Sequence, residues 1–305
     1  MMMTSRRSFL KVSACALAAF GGGCASFGPR RRKLALNAST LRGYALSLKD
    51  QVRAAVAAGF GGFEPWMKDI RAAKADGSFA EALALARDGG LRFVNGIAFG
   101  QWANPDAKIR AEGLEETKRD MADLAEMGCP CIAASLFGLQ KPGSPHVTAA
   151  ELAERFTAVC ELGDRMGVKP LLEYWGHSVN MCRLEDALEV LAHVRRTDVA
   201  VLADVYHTYR GDGDFNTLAR LKPSQLPILH VNDYPMLKPR RELVDADRVW
   251  PGDGAAPWGD ILPTLDAAGL DPWLSIEVFN PDYWKSTPEA TAREGFAKLL
   301  KTISI

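Results

Sequence analysis

From residue 34 onward, short apolar runs alternate with longer amphipathic stretches, a rhythm that predicts βα units around a parallel sheet. The first run covers 34–38, and the helical stretch at 48–58 follows, with Val52, Val56 and Phe60 recurring at near-helical spacing. Runs at 60–64, 91–99 and 131–135 predict the next three strands, separated by helices at 79–87 and 109–127. Gly89-Gly90 and Gly128 end those two helices, as expected of residues that accept a left-handed turn. Thr148 is placed to cap a helix over 151–166. The second half continues with strands at 170–174, 199–204, 227–231 and 272–278, and with helices at 184–194, 215–221, 258–268 and 288–302. Strict alternation of this kind predicts a single α/β domain, a (β/α)8 TIM barrel over 34–305. The competing arrangement, an open doubly wound sheet, needs a glycine-rich phosphate turn after its first strand, and Asn37-Ala38-Ser39-Thr40 is not one.

Four of the predicted strands end in a residue that binds metals: Leu171-Leu172-Glu173, Val201-Leu202-Ala203-Asp204, Ile228-Leu229-His230 and Leu274-Ser275-Ile276-Glu277. One acidic residue after a strand is ordinarily a helix cap. Recurrence in successive units, always at the same end, calls for a shared purpose. In a (β/α)8 barrel those ends form the face that carries active sites. Glu173, Asp204, His230 and Glu277 would therefore converge as a mixed oxygen and nitrogen donor set, suited to one divalent ion. Mn²⁺ is the first choice, with Zn²⁺, Co²⁺ or Mg²⁺ as alternatives.

Other residues fall near the same face. His207 lies three residues past Asp204 and His177 four past Glu173, each placed either to contact substrate or to be satisfied by loop backbone. Glu64, at the end of the second strand, either points into the pocket or caps the next segment. Arg248 lies on a long loop over 233–257, where it either forks onto substrate oxygens or ties the loop to Asp245 or Asp247. Trp66, Trp102, Trp175 and Trp250 all follow strand ends. Each could stack on the C–H face of a sugar or pack the barrel mouth.

Composition narrows the partners. The chain has 305 residues, 48% of them apolar, and balances 37 basic against 37 acidic residues, so it lacks the basic surface that a nucleic-acid partner requires. Six cysteines show neither CxxC pairing nor a disulfide-framework spacing, and free thiols are expected. At the start, Ser5-Arg6-Arg7-Ser8-Phe9-Leu10-Lys11 precedes an Ala/Gly-rich run and resembles a twin-arginine signal over 1–26, followed by a basic linker over 27–33. The expectation is Tat-dependent export to the periplasm, and in the lipoprotein alternative Cys24 is the site of lipid attachment. The apolar run is too short and too glycine-rich to serve as a transmembrane span.

The order Glu, Asp-x-x-His, His, Glu at successive strand ends resembles the sugar isomerase/epimerase group of xylose isomerase-like barrels, over essentially the whole chain after the leader. Two stretches, Asp247-Arg248-Val249-Trp250-Pro251-Gly252-Asp253-Gly254 and Ser275-Ile276-Glu277-Val278-Phe279-Asn280-Pro281-Asp282-Tyr283-Trp284, are similar to loops of inosose isomerases. Glu173-Tyr174-Trp175-Gly176-His177-Ser178 is similar to exported members of the group. The resemblance implies Glu173, Asp204, His230 and Glu277 as metal ligands. It also implies Glu173 and Glu277 as the acid/base pair, and His207 and Arg248 as contacts to substrate oxygens. It further implies isomerisation or epimerisation of an unphosphorylated keto-sugar or cyclitol through a metal-stabilised cis-enediolate. A dehydratase of inososes or a lyase of 3-keto-glycosides using the same enolate, and a non-catalytic exported sugar-binding barrel, are the alternatives. An endonuclease-like barrel would need more histidines at strand ends than His177, His207 and His230 provide.

Overall fold

The computed structural model describes residues 32–304. The twin-arginine leader, the first part of the basic linker and Cys24 lie outside the described residues. Eight strands are present: β1 (Lys33–Asn37), β2 (Gly62–Glu64), β3 (Arg92–Phe93), β4 (Cys131–Ser135), β5 (Lys169–Glu173), β6 (Ala200–Asp204), β7 (Ile228–Val231) and β8 (Trp273–Ile276). They are parallel and hydrogen-bonded in the order β3-β2-β1-β8-β7-β6-β5-β4. The ring closes beyond β3, where Gly96 bridges Ile132: the Gly96 N–H donates to the Cys131 carbonyl at 3.0 Å and Ala133 N–H to Gly96 at 2.9 Å. A TIM barrel is thus the fold.

The helices are α1 (Leu48–Ala58), α2 (Met67–Asp76), α3 (Phe79–Asp88), α4 (Ala107–Glu126), α5 (Ala149–Met166), α6 (Leu184–His193), α7 (Val205–Arg210), α8 (Trp258–Ala267) and α9 (Pro288–Thr302). Thr148 does cap α5, accepting from Glu151 N–H while Glu151 accepts from Thr148 N–H, which satisfies two end donors reciprocally. Three local expectations change. The third strand is two residues rather than nine: beyond Phe93 the segment turns from a continuous ladder to single bridges, Ile97 with Trp66 and Gly96 with Ile132, and the Asn95 amide donates to Glu64 at 2.7 Å. Helices α2 and α7 are additional, and 215–220 forms a 3-10 turn. In α2 only Met67, Ile70 and Ala73 are buried, too sparse a stripe among its charges to stand out in sequence.

Strand alternation decides what faces the barrel axis. Ala35, Ala133, Leu171, Ala200, Leu202 and Ile228 pack together in the interior, whereas Leu172, Val201, Leu229 and Leu274 belong to the layer between sheet and helices. Side chains two residues apart share a face. Glu173 therefore follows Leu171 inward, Asp204 follows Leu202, His230 follows Ile228, and Glu277 continues the parity of Trp273 and Ser275. Cys129, Cys131, Cys160 and Cys182 are free thiols.

Gly163 of α5 tests how closely helix and strand approach. A Cβ there would lie 2.5 Å from the Val168 carbonyl oxygen and 2.8 Å from Pro170 Cδ, just ahead of Glu173 on β5. Gly163→Val is expected to lower stability by about 1–3 kcal/mol. Equilibrium denaturation measures this, and an unshifted midpoint would show that the contact has room to relax.

Candidate metal centre

Asp204 and His230 are direct partners across the β6–β7 pairing, and His230 is aligned with Ser275, two residues before Glu277. This register brings one donor atom each from Asp204, His230 and Glu277 to within 4.8 Å of one another, all buried. The imidazole is oriented from behind. Its Nε2 lies 3.2 Å from Glu64 Oε2 and 3.4 Å from the Asn37 amide nitrogen. Its Nδ1 faces Glu277 Oε2 at 3.2 Å and Asp204 Oδ2 at 3.7 Å, close enough for ion pairing but without a well-directed hydrogen bond. Burial opposes charge on this ring, yet Glu277 and Glu64 on its two sides raise its pKa well above the usual imidazole range. A proton is held at the point where three donors converge. Two carboxylates, an imidazole nitrogen lacking a directed partner and a carboxylate fixing the far nitrogen together fit a divalent cation.

Arg248 closes the cluster on its other side. It is 1% exposed, and its Nη1 donates to Asp204 Oδ2 at 2.9 Å and Glu277 Oε2 at 3.0 Å. Its Nη2 donates to Asp245 Oδ1 at 2.9 Å and lies 3.0 Å from His207 Nε2. Burial opposes ionisation of Asp204, but the Arg248 guanidinium, with His207 and His230, holds its carboxyl down at about 2. Burial pushes His207 down to about 4, so this imidazole is neutral near pH 7. Because arginine can only donate, His207 Nε2 accepts and Nδ1 carries the hydrogen. That Nδ1 is buried with no hydrogen-bond partner and is available to a ligand oxygen.

Glu173 approaches from another rung. It pairs with Leu202, two residues before Asp204, and does not belong to the close group of three donors. It lines a cavity of about 250 Å³ together with Glu277, His207, Arg248, His177, Trp66 and Trp175. Burial pushes its carboxyl up to about 8, opposed by His230 and reinforced by the negative charges of Glu277 and Asp204.

Three residues expected at the substrate are placed elsewhere. Glu64 is completely buried beneath the cluster, spent on Asn37, Asn95 and His230 rather than on the cavity. Trp102 is 2% exposed and packs on Phe156 of α5 with ring centroids 5.7 Å apart. Trp250 is fully buried and stacks on Tyr283 at 4.1 Å, anchoring its loop instead of facing the cavity. Conversely, Asn232 was not foreseen: its amide donates to Asp204 Oδ2 and to the Glu277 carbonyl, both at 3.2 Å. Ser39 donates to Glu277 Oε1 at 3.2 Å while accepting from the Trp66 indole at 2.8 Å. Both sit just past strand ends, a position that could have singled them out.

The family model for the xylose isomerase-like TIM barrel matches residues 52–302. The chain belongs to the xylose isomerase-like TIM barrel family. Among relatives, an inosose isomerase of Bacillus licheniformis is 28% identical over 213 residues, covering 69% of this chain and 75% of that one. A 3-dehydroshikimate dehydratase of Pseudomonas aeruginosa is 26% identical over 258 residues, which is 83% of this chain but 39% of the dehydratase. Among solved structures, the IOLI protein with a bound zinc atom superposes with a TM-score of 0.81 at 23% identity, over 89% of this chain and 98% of that one. Within this family's barrel, then, the described residues present a three-donor centre beside a buried cavity.

Proton and metal compete for His230, so affinity for Mn²⁺ or Zn²⁺ is expected to fall as pH drops below the raised pKa of His230, with proton release on binding. Calorimetric titration in buffers of different ionisation enthalpy measures both effects; pH-independent binding without proton release would contradict the assignment. Glu64→Gln is expected to weaken metal binding by about 10–100-fold, because Glu64 orients the imidazole.

Proposed function

We propose that this chain is a divalent-metal-dependent isomerase or epimerase of an unphosphorylated keto-sugar or inosose, with Glu173 and Glu277 as its acid/base pair. One observation carries the reading: two buried carboxylates, from β5 and from the end of β8, face one cavity in opposite environments. Glu277 accepts hydrogen bonds from Arg248 and Ser39. Glu173 is held near 8 by burial. Such a difference suits one group to take a proton from carbon and the other to give one back, each step contributing about 10²–10⁴-fold.

A divalent ion held by Asp204, His230 and Glu277 would polarise a substrate carbonyl and offset the charge that develops when the α-proton leaves. The protein's own groups complete the arrangement. His207 Nδ1–H donates to a neighbouring substrate oxygen, while Arg248 keeps Asp204 ionised and holds both Asp204 and Glu277 in place. Trp66 and Trp175 exclude water from the reacting carbons, which keeps the returned proton under the control of the carboxyl groups. Protonated Glu173 would equally serve a leaving hydroxyl, so elimination is the second reading. It shares the enolate and differs only in product.

Proton NMR in D₂O after incubation with inososes and keto-sugars tests this reading. Deuterium at an α-carbon with a rearranged product is expected; loss of water or of an aglycone would move the assignment to elimination. Glu173→Gln is expected to slow α-proton exchange by about 10²–10⁴-fold with metal content retained. The wild-type rate should decline as pH rises through about 8, where Glu173 loses its proton; a rate that climbs through that range would contradict Glu173 as the acid.

A further inference from the structure

The cavity has two chemically distinct ends. Glu173, Glu277, His207 and Arg248 gather on the β5 to β8 side. Across the ring, the segments after β3 and β4 contribute Phe99, Phe137 and Gln140. Since β4 stands opposite β8, this second end reaches past any carbon that touches Glu277. Its walls are continuous: Phe99 lies 5.2 Å from Trp66, 5.3 Å from Phe137 and 6.5 Å from Trp175, measured between ring centroids. Phe137 forms the lip and stays 37% exposed, an apolar surface with nothing of the described chain upon it.

Gln140 supplies the polar element. It is 8% exposed, and its Oε1 is buried without a hydrogen-bond partner. Buried acceptors are ordinarily satisfied, so an unpartnered one on a residue that lines the cavity is suited to a ligand's hydroxyl. The backbone that carries it is held in place. Asn180 donates to the Leu139 carbonyl at 2.8 Å, and Val179 N–H donates to the Gln140 carbonyl at 3.2 Å. Gly138 permits the turn, with φ of +88° and Gln101 packed where a side chain would stand. An aromatic wall with one unpartnered acceptor matches a ring bearing hydroxyl groups, whose C–H or π face stacks while one hydroxyl donates.

We infer that Phe99, Phe137, Trp175 and Gln140 form a distal subsite for a second ring, so that the preferred substrates are glycosides of a keto-sugar carrying a sugar or aryl group. The chemistry at the reacting ring rests on the function proposed above, whereas the binding preference does not. The test uses the metal-loaded full chain with phenyl 3-keto-β-D-glucoside and 3-keto-D-glucose, comparing affinity by calorimetry and α-proton exchange in D₂O. The phenyl glucoside is expected to bind at least about tenfold more tightly. Phe137→Ala, checked for folding by thermal denaturation, should weaken the phenyl glucoside at least about fivefold more than the free sugar, and Gln140→Leu, checked the same way, should do so for the 4-hydroxyphenyl glucoside, whose phenol can donate to Gln140 Oε1. Equal affinity for the two compounds, or variants that weaken both alike, would overturn the subsite. Selective binding without exchange on either compound would support the subsite while removing the enolate chemistry. Exchange without selectivity would do the reverse.

Discussion

Concentrated negative charge inside the barrel is the constraint on which the rest of the site depends. Glu64, Glu173, Asp204 and Glu277 are all less than 9% exposed, and His230 and Arg248 are the cationic groups set among them. An isolated buried carboxylate would be prohibitively costly, so each must be paired, hydrogen-bonded or protonated. All three solutions occur: Asp204 is paired, Glu64 is bound by two amides and an imidazole, and Glu173 is pushed toward its neutral form. The excess of anionic groups suits the centre to a divalent cation. The same crowding, with burial, pushes the Glu173 carboxyl up to about 8.

The surrounding architecture serves that constraint. Asp204 ends β6 and at once caps α7 by accepting from His207 N–H at 2.7 Å, so one side chain joins the centre and sets the start of the helix that carries His207. Asp233 does comparable work on the long loop, accepting from Gly252 N–H, Ala256 N–H and the Trp258 indole. With Trp250 stacked on Tyr283, these bonds fix the loop from which Arg248 reaches the centre. Bonds made behind the donor side chains in this way hold their geometry in place.

Much of this was legible in the sequence, for a physical reason. Period-two alternation forces Leu171 and Glu173, or Leu202 and Asp204, onto one face, so the inward direction of the strand-end donors follows from the pattern alone. Contacts that depend on tertiary register were hidden. Nothing in Glu64's neighbourhood distinguishes a residue touching substrate from one supporting His230 across the barrel. Trp102 and Trp250 follow strand ends just as Trp66 and Trp175 do, but the side each ring faces depends on loop course. Helix α7 is six residues long, too short for periodicity to announce it, and Gln140 carries no motif.

The most direct test is anomalous diffraction from crystals of the Mn²⁺-loaded protein. The account predicts one peak bounded by Asp204, His230 Nδ1 and Glu277, with His230 Nε2 still facing Glu64. A peak elsewhere, or a His230 ring turned away from Glu64 at full metal occupancy, would contradict it.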